Sequence, residues 1–77
     1  MTPEEVERVI EDGIEGAEAT VSRARGEHDD DHLSAEVVAE AFADRSLLEQ
    51  HEMVYDALGE LMTTEIHALE LSTRTPE

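Results

Sequence analysis

Residues 42–76 read FADRSLLEQHEMVYDALGELMTTEIHALELSTRTP, and three structural events follow one another along this stretch. Phe42 to Arg45 has the chemistry of a turn. Ser46, followed three residues later by Glu49, is a capping box that opens a helix. Leu47, Leu48, Val54, Tyr55, Leu58, Leu61 and Met62 then recur on one side, which predicts a single apolar stripe, and Gly59 marks a break into two shorter helices. A strand is predicted over 66–72, with His67, Leu69 and Leu71 on one face and Ile66, Ala68 and Glu70 on the other. Pro76 ends regular structure.

Working back from this unit, residues 2–14 form a helix. Thr2 is a good N-cap, Pro3 suits the first helical position, and Glu5 completes a second capping box. Val6, Val9, Ile10 and Ile14 give one apolar face, and Gly13 and Gly16 are candidate stops. Residues 18–24 alternate weakly and predict a strand. A polar loop, RGEHDDDH, follows and carries His28 and His32. Residues 33–41 place Leu33, Ala35, Val37 and Ala39 on one face and predict a second strand, although the alanines and glutamates also permit a helix. The first two strands can pair as a hairpin. The second and third are joined through a helix, which favours a parallel, right-handed crossover. The expected architecture is α+β, in the order α-β-β-α-α-β: a three-stranded mixed sheet with helices on one face, forming a single domain over residues 1–77.

Composition narrows the chemistry. The 77 residues include 21 acidic and 5 basic side chains, all five of them arginine, for a net charge of −16. An acid-rich, lysine-free surface suits a protein bathed in multimolar salt, where charge repulsion is screened within about 3 Å at 1 M. The alternative is an ordinary acidic protein. There is no cysteine, so the chain has no disulfide, no thiolate ligand and no cysteine nucleophile. Neither a long apolar run nor a basic leader is present, and a cytoplasmic protein with no membrane contact is expected. No serine sits in a catalytic motif, no glycine-rich phosphate loop occurs, and paired carboxylates are unavoidable at this composition, so an enzyme is not expected.

The histidines are the residues with coordination chemistry. His67 opens the last strand and shares a face with Leu69 and Leu71; on its position alone it reads first as a satisfied structural side chain. His51 lies within the helical stripe and reads as structural. His28 and His32 flank three aspartates, a loop that solvation explains and that also has ordinary donors for a divalent cation.

Phe42-x-x-Arg45-Ser46-Leu47, Gln50-His51-x-x-Val54-Tyr55-x-x-Leu58, Ile66-His67-Ala68-Leu69 and Thr75-Pro76 together resemble the BolA/IbaG family over nearly the whole chain. The resemblance implies a fold similar to the class II KH fold and a small partner of monothiol glutaredoxins, monomeric alone or heterodimeric with that partner. It further implies a shared [2Fe–2S] cluster in which the glutaredoxin gives a cysteine and a bound low-molecular-weight thiol gives another sulfur. This chain would supply His67 and either His28 or His32. Two histidines can take the place of two cysteines on one iron of such a cluster, and they raise its reduction potential. The family turn often reads F-x-G-K; here Asp44 and Arg45 hold its last two places, and Asp tolerates the left-handed backbone such a turn needs. Gln50 stands where relatives often carry Arg. The alternative the resemblance offers is a KH-like nucleic-acid-binding regulator using Arg45, Ser46 and His51. Electrostatics oppose it, because phosphate binding draws on Lys and Arg and this chain repels a polyanion.

Overall fold

The computed structural model describes residues 2–26, 32–66 and 68–76. The elements are α1 (Pro3–Gly13), β1 (Glu18–Arg23), β2 (His32–Val38), a short 3-10 turn (Glu40–Phe42), α2 (Leu47–Leu58), α3 (Leu61–Thr64) and β3 (Ala68–Arg74). β1 and β2 pair antiparallel, β2 and β3 pair parallel, and β2 lies between the other two. This is the α+β order and the mixed sheet that the residue pattern predicts.

Both capping boxes form. The Thr2 hydroxyl accepts from the Glu5 backbone N–H while the Thr2 N–H donates to the Glu5 carboxylate at 2.7 Å. Ser46 and Glu49 repeat the arrangement at the start of α2, at 3.1 and 2.9 Å. These backbone donors hold both carboxyls below the usual carboxylate range. A folded-state pKa below the unfolded one gives stabilisation that is complete above the unfolded value, about 4.3, and is lost as pH falls through the lowered folded value. Glu49→Gln should therefore lower the melting temperature at neutral pH, and the gap to the native protein should close on acidification. Circular-dichroism melts across that range check this.

The core lies between the helices and one face of the sheet. Val6, Ile10 and Ile14 from α1 and its end, Ala19 and Val21 from β1, Leu33, Ala35 and Val37 from β2, and Val54 and Leu58 from α2 are all buried. Phe42, at 1 % exposure, is the largest fully buried side chain. The 3-10 turn puts it there: strand pairing stops after Val38, and the Phe42 N–H donates back to the Ala39 carbonyl at 3.2 Å. The predicted strand 33–41 is therefore shorter, because its last residues curl inward to bury the one phenylalanine.

The last strand also shifts, from the predicted 66–72 to Ala68–Arg74. Ile66 is buried, but its N–H closes α3 by donating to the Leu61 carbonyl at 2.8 Å, so it belongs to the preceding turn. At the far end, β2 reaches Val38 and holds β3 to Arg74.

Gly13, read from sequence as a stop, has a second role. A Cβ added there would lie 2.6 Å from the Ala57 Cβ and 3.1 Å from its Cα, so α1 and α2 touch at this point. Gly13→Ala would ordinarily favour a helix, but here it forces the two backbones apart, and overpacking of this kind costs about 1–3 kcal/mol. A lower urea midpoint is expected, with Ala57→Gly recovering much of the loss in the double variant. Gly59, at φ 57° and ψ −129°, occupies backbone that side chains avoid and separates α2 from α3 as the sequence implies.

β1 and β3 are the two edges of the sheet. The β1 edge is covered by α1: Glu7 and Glu11 carboxylates accept from the Val21 and Ala19 N–H groups at 2.8 and 3.0 Å. Backbone donors that would otherwise template another strand are thereby occupied.

Candidate functional site

Of the three histidines singled out as ligands, His28 and His67 lie outside the described residues. His32 opens β2. Inward-facing Leu33, Ala35 and Val37 alternate with His32, Ser34 and Glu36, so His32 stands on the face of the sheet away from the helices, half-exposed. Its carbonyl accepts from the Ala24 N–H at 2.8 Å, which fixes the mouth of the β1–β2 hairpin. Across the parallel pair His32 is in register with Ala68, the residue that follows His67 in the chain. Adjacent strands run about 4.8 Å apart. The fold thus joins the start of β2 to the start of β3, His32 to Ala68, two places 36 residues apart in sequence.

The donor set limits what this end of the sheet can hold. Among the described residues no three His, Asp or Glu side chains converge as a metal site. Without cysteine, the chain has no thiolate, and its ionisable metal donors are chiefly imidazole and carboxylate. Such a set suits a site completed by another molecule's sulfurs better than a private iron–sulfur centre.

The other singled-out residues gather at the opposite end. Arg45 and Ser46 are exposed, and His51 is half-buried on α2. The Ser46 hydroxyl is committed to capping Glu49, and Glu49 places a carboxylate beside it. Asp44 takes the left-handed conformation expected of it, φ 64°, and is the one non-glycine residue with positive φ among those described. Gln50, where relatives often carry Arg, has a structural task that the sequence does not announce. Its amide donates to the Arg45 and Phe42 carbonyls at 3.1 and 3.4 Å, and its oxygen accepts from the Thr73 hydroxyl at 2.7 Å. One side chain therefore ties the turn, α2 and the end of β3 together, and satisfies the one buried polar side chain among the described residues, Thr73. A diagonal ion pair, Arg74 to Glu36 at 3.4 Å, lies on the outer face with both groups half exposed, so it adds little stability.

A two-layer α+β domain with a mixed sheet, a capped turn and His32 at one sheet end is the class of molecule these observations define. The family model for BolA-like protein matches residues 8–77, and the chain belongs to that family. Among curated proteins it is 35% identical over 74 residues to the chloroplastic protein BOLA1 of Arabidopsis thaliana, covering 95% of this chain and 46% of that protein. It is 31% identical over 58 residues to the chloroplastic/mitochondrial SufE-like protein 1 of the same plant, covering 75% of this chain and 16% of that one. The chain thus spans less than half the length of these two relatives. A solved structure of a bolA protein homologue from Coxiella burnetii superposes with a TM-score of 0.83 at 34% identity, over 99% of this chain and 92% of that one.

Proposed function

We propose that this chain is an adaptor in iron–sulfur cluster handling that shares a [2Fe–2S] cluster with a monothiol glutaredoxin. His67 is one ligand in this reading, and a histidine from the β1–β2 loop end, His32 or His28, is the other. The glutaredoxin and a low-molecular-weight thiol supply the sulfurs. The observation that carries the reading is the register of β2 and β3, which sets His32 opposite the residue next to His67. Family membership supports it, as does a relative that holds a similar segment within a SufE-like protein. The absence of cysteine explains why such a site needs a partner. When bound, the cluster supplies iron for histidine ligation and a redox couple. The chain's own task is to present neutral imidazoles at one end of a rigid sheet, so protonation competes with binding.

The test is to mix the protein with a monothiol glutaredoxin, iron, sulfide and glutathione. A visible absorption and circular-dichroism spectrum distinct from that of the glutaredoxin alone is expected, and the difference should fade as pH is lowered. An unchanged spectrum would remove the shared-cluster reading and leave a protein-interaction module without metal.

The reading of the surface as adapted to concentrated salt has its own check. With 16 net negative charges on 77 residues, the melting temperature should climb as KCl rises from about 0.1 to 2 M, well beyond the range in which exposed ion pairs respond. A flat or falling curve would make this an ordinary acidic protein.

A further inference from the structure

The predicted apolar stripe of α2 is divided. Val54 and Leu58 are buried, and Met53 and Ala57 are partly so. Leu47, Leu48 and Tyr55, however, are 62%, 70% and 38% exposed. Leu48 and Tyr55 are seven residues apart, two helical turns, and so lie along one line of the helix. Leu47 adjoins them at the first turn. Asp44, Glu49, Glu52 and Asp56 are exposed around them, and Arg45 is the sole arginine between residues 44 and 60, a stretch that has no lysine. Glu52, Asp56 and Glu49 fall on one side of that line and half-buried His51 on the other, so the result is an apolar line with a carboxylate border along one flank.

Two considerations decide what covers it. A second copy would bring like-charged borders together. Three partly exposed side chains also supply only a fraction of the about 800 Å² per partner that a stable dimer buries. A partner with cationic borders gains from the same charges, which raise its association rate and exclude acidic competitors. An exposed helical flank also accepts another helix directly, since helices pack 8–10 Å apart through side chains on such lines.

We propose that this flank of α2 docks an amphipathic helix of a second protein, one whose apolar line is bordered by Arg and Lys. The surface is separate from the candidate ligand end. Gln50 in the first turns of α2 bonds Thr73 near the end of β3, whereas His32 pairs with Ala68 at its start. Five residues of strand, about 17 Å, lie between these points. α2 belongs to the helical layer whereas His32 stands on the opposite face of the sheet, so a helix seated on Leu48 and Tyr55 leaves His32 accessible, and the proposal does not depend on the cluster reading.

The probe is a synthetic 16-residue amphipathic helix with Leu and Phe on one line and Arg and Lys on both borders, titrated into 15N-labelled protein at the lowest salt that keeps it folded. Shifts concentrated at residues 44–56 are expected. A peptide with Glu at the border positions, or with Ser at the apolar ones, should bind at least tenfold more weakly. Leu48→Ser/Tyr55→Ser should bind the basic peptide at least tenfold more weakly while keeping its circular-dichroism spectrum and its urea midpoint. Shifts elsewhere, equal binding of the acidic peptide, or equal binding by the double variant would overturn the proposal. So would sedimentation equilibrium showing a dimer that the double variant dissolves, since a second copy would then be the occupant.

Discussion

His67→Ala, mixed with glutaredoxin, iron, sulfide and glutathione, should give the spectrum of the glutaredoxin cluster alone. In the proposed site imidazole is the donor this chain lends to iron, and removing one of its two histidine ligands would leave that iron short of its coordination. Loss of nearly all of the difference spectrum is therefore expected, rather than a graded change. The loop histidines separate in the same assay. The β2–β3 register places His32 across from Ala68, so His32→Ala should reproduce most of the His67→Ala loss. His28→Ala should resemble the native protein. The reverse result would exchange the two loop assignments while keeping His67. A native spectrum from His67→Ala would show that the ligand assignment is wrong. Because His32 is half-exposed on the outer face of the sheet, its replacement should leave the urea midpoint nearly unchanged, so a spectral loss would not be a loss of fold.

The second large effect is on stability. Phe42→Ala should cost about 3–5 kcal/mol, the range for deleting a buried aromatic ring. A domain of 77 residues holds only about 4–12 kcal/mol in all. The variant is thus expected to lose a large share of its urea midpoint, and to be mostly unfolded if the native protein sits at the low end. Phe42 owes this weight to its place: it is 1 % exposed where the 3-10 turn leaves the sheet, and its carbonyl also accepts from Gln50. Leu48→Ala is the comparison, since at 70% exposure it removes a similar amount of apolar surface from water rather than from the core. A Phe42→Ala shift no larger than that of Leu48→Ala would mean that the core does not rest on this ring. Both measurements belong in the same salt, because self-repulsion sets the baseline.

Local chemistry alone determined much of this protein. Thr2–Glu5 and Ser46–Glu49 mark their helix starts because the bonds that form the caps span three residues. The alternation through β2 and β3 announces strands because side chains change face at each residue. Asp44 tolerates its turn by its own side chain, and the missing cysteines exclude a thiolate ligand wherever the chain folds. Tertiary structure decided the rest, because burial depends on what arrives from elsewhere. An apolar stripe cannot tell which flank its neighbour will cover, so Leu47, Leu48 and Tyr55 read like Val54 and Leu58 until α1 and the sheet take one side. The two-residue shift of β3 follows from Ile66 being held by α3 and Arg74 by β2, contacts that no window of sequence contains. The bond from Thr73 to Gln50 and the close approach of Gly13 to Ala57 likewise join residues 23 and 44 apart. Pairing of His32 with Ala68, on which the functional reading rests, is of the same kind: the residue types are written locally, but their meeting is a property of the sheet.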